Sequence, residues 1–126
     1  MTDVRILYIE DNPENRLLVS RILEVEGYEV VEAVDGLSGL KAATETDPDL
    51  ILLDIELPKV DGYSLAERFR QIPELDQVPI LAVTANVMKG DRERTLAAGC
   101  DGYIPKPIDI DRLPGQIEQA LQKVGV

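Results

Sequence analysis

Apolar positions gather in five short runs, Val4–Ile9, Glu29–Ala33, Leu50–Leu53, Ile80–Val83 and Gly102–Ile104, separated by segments with a helical repeat. The first, third and fourth runs are nearly continuous in Val, Ile and Leu instead of alternating. That pattern predicts strands buried on both faces, as in a parallel sheet covered by helices. The second run alternates more and suits an edge. Leu18, Ile22 and Val25 form a helical stripe after Pro13, with Gly27 as a stop. Leu37, Leu40 and Ala43 form a shorter stripe ending before Pro48, and Leu65, Ala66 and Phe69 a third ending before Pro73. A fourth helix near Asp91–Ala98, opened by Gly90 and closed by Gly99, is predicted to be short and mobile. In the fifth, Leu113, Ile117, Leu121 and Val124 share one amphipathic face, assigned to core packing. Asp109 or Asp111 can cap it, and Pro114 is tolerable only in its first turn.

A strand followed by a helix, five times over with short connections, predicts a three-layer, doubly wound (βα)5 sandwich occupying residues 1–126 as one domain. Its functional crevice belongs at the carboxyl ends of the strands.

Composition narrows the chemistry. Thirteen basic against 24 acidic residues give a formal charge of −11, the wrong sign for non-specific binding to nucleic acid or to an anionic membrane. No apolar run approaches the length of a membrane span, and the first residues lack the features of a signal peptide. Histidine is absent, which excludes a phosphohistidine on this chain, a Ser-His or Cys-His nucleophile and most zinc sites. Cys100, the single cysteine, rules out an internal disulfide, fits a reducing cytoplasm and reads as a small buried side chain.

The strand ends carry the informative residues. Glu10 and Asp11 follow the first strand, Asp54 ends the third, Thr84 ends the fourth, and Lys106 follows the fifth. Each alone has a plain explanation: a helix cap at Asp11 or Asn12, a strand-end hydroxyl, a surface lysine. Together they converge on one edge of a parallel sheet. Three carboxylates within roughly 5 Å repel by about 3 kcal/mol per pair at an effective dielectric near 20. One lysine cannot neutralise them; a hard divalent cation can, and all-oxygen ligands suit Mg²⁺. Lys106 and the Thr84 hydroxyl could then grip a phosphoryl group while a carboxylate attacks it. Asp54, at the tip of a central strand, is the better nucleophile, and Glu10–Asp11 the better metal pair. The turn signals at Leu57-Pro58 and Asp61-Gly62 could keep the loop after Asp54 open to a partner.

The set Ile9-Glu10-Asp11-Asn12, Leu53-Asp54-Ile55-Glu56-Leu57-Pro58 with Gly62, Val83-Thr84-Ala85 and Tyr103-Ile104-Pro105-Lys106-Pro107 resembles the receiver domain of response regulators (CheY-like), over essentially the whole chain. Thr84–Lys89 with Gly90-Asp91, and the later Gly99-Cys100, look most like stand-alone DivK-type receivers. The resemblance implies a flavodoxin-like sheet in the order 2-1-3-4-5. It implies Asp54 as phosphoacceptor, with Asp11, Asp54 and the Glu56 backbone carbonyl contacting Mg²⁺ and Glu10 acting mainly through metal-bound water. Thr84, the Ala85 N–H and Lys106 would hold the phosphoryl oxygens, and the Lys106–Pro107 bond is expected to be cis. Thr84 and Tyr103 would form the switch, altering the face made by the fourth helix, fifth strand and fifth helix. Glu56 and Asn86 would border the attacking water, Glu56 adding negative charge beside the phosphoryl group.

On this reading the protein is a cytoplasmic signalling receiver, not an enzyme of metabolism, and it catalyses only its own phosphorylation and slow dephosphorylation. Its phosphoryl group comes from a histidine kinase or a histidine phosphotransfer protein, and its output is a protein contact, with no direct DNA binding and no membrane insertion. Met1 and the end after the fifth helix are read as a complete stand-alone receiver. A haloacid-dehalogenase-type phosphatase would want a second Asp at position 56 and room for a cap domain. A phosphorylation-independent binding domain leaves the intact residue set unexplained.

Overall fold

A computed structural model describes residues 4–85 and 89–123. Among these, five strands alternate with five α-helices: β1 (Arg5–Ile9), α1 (Pro13–Val25), β2 (Glu29–Ala33), α2 (Gly36–Thr46), β3 (Leu50–Asp54), α3 (Gly62–Arg70), β4 (Ile80–Thr84), α4 (Lys89–Ala97), β5 (Gly102–Pro105) and α5 (Leu113–Lys123). All strand pairs are parallel, in the order β2-β1-β3-β4-β5, as expected. The continuous apolar runs are the central strands: every residue of β3 and β4 is buried, whereas β2 at the edge is mostly exposed or half-buried. Alternate residues feed two cores. Leu7, Ile9, Leu53 and Ala82 pack with Ala43, Leu65 and Phe69 on the α2–α3 face. Tyr8, Leu52 and Val83 pack with Val19, Leu23, Leu113 and Ile117 on the α1–α5 face.

Two expected helix faces are corrected in part. In α1, Leu18 is 49% and Val25 83% exposed, while Val19 and Leu23 face the sheet. Ile22 of the expected stripe still packs against the core, half-buried, so the inward face turns toward Val19 and Leu23 and leaves only Leu18 and Val25 outside. In α2, Leu37 is 78% exposed, while Leu40 and Ala43 of the expected stripe pack against the core beside the buried Gly36 and Gly39. These small residues let its backbone approach the sheet closely. The faces of α3 and α5 stand as expected, with Leu65, Ala66, Phe69, Leu113, Ile117 and Leu121 buried. Asn86 and Val124 lie outside the described residues.

Local signals set the boundaries. Asn12 caps α1, its side chain accepting from the Asn15 N–H at 3.0 Å. The Asp109 side chain accepts from the Asp111 N–H, and its carbonyl from the Leu113 N–H, where α5 begins. Pro114 falls in the first turn, where its missing N–H costs nothing. Helix α4 starts at Lys89, so Gly90 lies inside it and not at its opening, while Gly99, with φ +100°, ends the turn that follows. Cys100 is buried, and that burial pushes its thiol up to about 12, far from a reactive thiolate. No helix among the described residues is long and apolar enough to cross a membrane.

Candidate functional site

The sheet ladder runs past the formal strand ends and fixes the residues that follow. The Glu10 N–H bonds to the Ala33 carbonyl at 3.0 Å, the Ile55 N–H to Val83 at 3.0 Å, and the Lys106 N–H to Thr84 at 2.9 Å. Glu10, Asp54 and Lys106 are therefore held by backbone at the ends of β1, β3 and β5, with β4 between the last two. Gly62, the first residue of α3, lies against the Ile55 backbone, where a Cβ would stand 2.5 Å from the Ile55 Cα. Only glycine permits that approach, which closes the loop after Asp54 down onto its own strand.

Carboxylate oxygens of Glu10, Asp11 and Asp54 lie within 4.8 Å of one another. Glu10 and Asp54 are 2% and 1% exposed, whereas Asp11 faces solvent. Asp54 Oδ1 accepts from the Glu56 N–H at 2.9 Å and from Lys106 Nζ at 2.9 Å, two donors that orient the carboxylate. Burial raises the Glu10 carboxyl, the hydrogen-bonded Asp54 raises it further, and the Asn12 N–H only partly offsets them; it reaches about 7. Tyr8 beneath it is raised by burial and by Glu10, and donates to Glu10 Oε1 at 3.4 Å. Burial works to lower the Lys106 ammonium, but its bonds to Asp54 and Glu56 win and hold it above an ordinary lysine.

Lys106 Nζ also lies 3.0 Å from Glu56 Oε1, and Glu56 Oε2 accepts from the Ala85 N–H at 3.1 Å. The Lys106–Pro107 bond is cis. Thr84 is buried at the end of β4, and Tyr103 is half-buried against the α2–α3 core. Tyr103 pairs in register with Ala82, two residues before Thr84, so Thr84 and Tyr103 share one sheet face. The structure thus brings Glu10, Asp11, Asp54, Glu56, Ala85 and Lys106 together, with Thr84 at the end of the neighbouring strand and Tyr103 on its sheet face; Asn86 lies outside the described residues.

Arg16 escaped the sequence reading. Its Nη1 donates to the carbonyls of Glu10 at 2.8 Å and Asp11 at 2.9 Å, pinning the backbone of the acidic pair. A signal was present: a cation in the first turn of a helix opposes the helix dipole, so it calls for a partner there.

The carboxylates suit a hard cation. Their donors are all oxygen, they mix buried and exposed groups, and one, Glu10, is driven toward the protonated form by burial and then by its carboxylate neighbours. A divalent ion at Asp11 and Asp54, near Glu10, would relieve that repulsion and polarise a phosphoryl oxygen.

Comparison with known proteins points the same way. The model of the response regulator receiver domain matches residues 6–118. The polar-differentiation response regulator DivK of Brucella ovis is 41% identical over 116 residues, spanning 92% of this chain and 94% of that protein. The receiver domain of a Pseudomonas aeruginosa sensor histidine kinase, solved with magnesium in its active-site cleft, superposes with a TM-score of 0.86 at 36% identity, covering 96% of this chain and 99% of that one. The Vibrio cholerae chemotaxis protein CheY4 gives a TM-score of 0.90 at 26% identity, covering 94% and 99% respectively.

Proposed function

The chain belongs to the response regulator receiver family of two-component signalling, and from that premise we propose that Asp54 is its phosphoacceptor. The observation that carries this reading is the setting of Asp54: buried at a strand tip, oriented by Lys106 and the Glu56 N–H, and within 4.8 Å of the carboxylate oxygens of Glu10 and Asp11. Mg²⁺ at Asp11, Asp54 and the Glu56 carbonyl, with Glu10 nearby, supplies charge neutralisation for a phosphoryl group. The donor is a phosphohistidine on a histidine kinase or phosphotransfer protein, since this chain has no histidine. A P–O bond forms to an Asp54 oxygen as the P–N bond breaks, and the electron pair returns to the imidazole nitrogen. Lys106 Nζ, the Ala85 N–H and the Thr84 hydroxyl hold the phosphoryl oxygens as negative charge shifts onto them. The same pocket later admits water for slow dephosphorylation. Thr84 and Tyr103, on one sheet face, carry the change to the surface of α4, β5 and α5, where a downstream protein reads it.

A donor histidine must reach a buried aspartate, so a partner has to seat itself at the pocket mouth. Leu18 lines a cleft with Ala85, Pro107 and Ile108 beside Lys106, and the exposed Leu17 and Val25 lie on the same helix. This apolar rim suits the donor protein. The acidic chain, a cytoplasmic receiver, uses no DNA or membrane contact. It acts as one domain over residues 1–126, a length close to that of the DivK relative.

Incubation with Mg²⁺ and acetyl phosphate should add one labile phosphoryl group by intact mass, and Asp54→Asn should abolish it. Persistent labelling of that variant overturns the assignment. Multiple turnover of diverse phosphomonoesters would instead mark a phosphatase. Leu18→Ala should slow transfer from a phosphotransfer protein while leaving acetyl phosphate labelling intact; equal slowing of both would remove the rim from donor docking.

A further inference from the structure

The Glu56 side chain occupies an unexpected place. Its two carboxylate oxygens take the Lys106 Nζ at 3.0 Å and the Ala85 N–H at 3.1 Å, one donor each. These are two of the groups assigned above to the phosphoryl oxygens. A carboxylate and a phosphoryl group both present paired anionic oxygens to fixed donors, and such charge-assisted bonds are the stronger kind. Glu56 is anchored at its base as well, since its own N–H holds Asp54 Oδ1 at 2.9 Å. Its side chain is 33% exposed, so it has a way out toward solvent.

We infer that the Glu56 carboxylate is a built-in occupant of the phosphoryl-oxygen site, which incoming phosphate must displace. This rests on the reading of Lys106 and Ala85 as phosphoryl-holding groups. Three consequences follow. Glu56 slows phosphorylation by competing for both donors. It makes the unphosphorylated pocket a poor site for small anions. It also ties the segment after β4 to the loop after β3, because the Ala85 N–H lies one residue past Thr84. Phosphorylation breaks this tie and hands Ala85 to the phosphoryl group, coupling the chemistry to the start of the switch segment.

The side chain therefore sets the rate and anion affinity of the site without being the nucleophile. Glu56→Gln keeps an acceptor but loses the charge; Glu56→Ala removes the occupant while leaving the backbone carbonyl. Fluoroberyllate, a phosphoryl analogue, reports affinity apart from chemistry, and the Ala85 amide resonance reports the contact itself in the free protein. Glu56→Ala should bind fluoroberyllate with Mg²⁺ about tenfold more tightly, equivalent to about 1.4 kcal/mol. It should also be labelled by acetyl phosphate about tenfold faster, with Glu56→Gln in between. The Ala85 amide proton should move upfield in both variants. Unchanged or weaker fluoroberyllate binding in both variants, or an unmoved Ala85 amide, overturns the inference. If wild-type protein takes no label at all, the receiver reading fails first and by itself.

Discussion

Metal-free protein should lose stability as pH rises from about 4.5 to about 7, because of Glu10. Its carboxyl is buried under Asp54 and Asp11, and its affinity for a proton in the folded state reaches about 7 against an ordinary 4.5. The folded state therefore binds this proton more tightly than the unfolded chain. The stabilisation is complete below the unfolded value and is lost as pH climbs through the folded one. At 1.36 kcal/mol per pH unit, the loss amounts to at most about 3–4 kcal/mol. Tyr8 stays neutral throughout this window, and Lys106 stays charged, because their shifts take them further from it. Asp35, lowered by its bonds to Ser38, contributes with the opposite sign but only at more acidic pH. General repulsion in a chain of charge −11 also grows with pH, so the informative quantity is the difference between wild type and Glu10→Gln. Urea midpoints followed by far-ultraviolet circular dichroism in chelator, at steps across the window, supply it. Wild type should fall more steeply than the variant, and Mg²⁺ at about 100 times its dissociation constant should return about 2.7 kcal/mol to wild type. Parallel profiles for the two proteins would refute the reasoning.

The helix faces give a second test: Leu23→Ala should cost about 2–5 kcal/mol in urea unfolding, whereas Val25→Ala, two residues on and 83% exposed, should stay within about 0.5 kcal/mol. Gly62→Ala places a methyl group 2.5 Å from the Ile55 Cα, so it should cost about 1–3 kcal/mol and slow acetyl phosphate labelling by shifting the Asp54 loop. Arg70 donates to the carbonyls of Gly99, Leu75 and Val78 and pairs with Asp101 at 2.7 Å, clamping the lower ends of β4 and β5; Arg70→Met should cost about 2–4 kcal/mol by calorimetry with little effect on labelling rate.

The strands were legible because their burial on both faces leaves no choice of phase: Leu50–Leu53 and Ile80–Val83 had to be central. Register then places whatever follows each strand, and so Glu10, Asp54, Thr84 and Lys106 could be brought together from sequence alone. Helix phase was harder. In α1, Leu17-Leu18-Val19 and Ile22-Leu23 offer two overlapping stripes one residue apart, and nothing local chooses between them. The sheet chooses Val19 and Leu23, with Ile22 beside them, and leaves Leu18 and Val25 outside; an apolar residue left at the surface and one buried in the core look alike in sequence. Leu37 misled for a related reason, since α2 approaches the sheet through Gly36 and Gly39, which periodicity does not score. Side-chain reach was invisible as well. That Arg16 turns back onto the Glu10 and Asp11 carbonyls, and that Glu56 spans Lys106 and Ala85, depends on rotamers that spacing does not encode.

Charge explains how an acidic residue at position 56 can coexist with Asp54 as the proposed phosphoacceptor. Around Lys106 stand two carboxylates, Asp54 at 2.9 Å and Glu56 at 3.0 Å, sharing one ammonium group. Phosphorylation replaces the single charge of Asp54 with an acyl phosphate carrying roughly two. If Glu56 remained in place, the pocket would hold an additional negative charge against the same lysine and the same metal. If Glu56 leaves as the phosphoryl oxygens arrive, one carboxylate departs as one unit of charge is added, and the local balance is preserved. The exchange also conserves hydrogen bonds, because Lys106 and the Ala85 N–H pass from one pair of anionic oxygens to another. A neutral residue at position 56 would leave those donors to water before phosphorylation and would make the reaction a net addition of charge. In the proposed exchange Glu56 makes it a substitution, so the energetic contrast between the two states would lie less in the pocket than in where the Glu56 side chain and the Ala85 segment go once they are displaced.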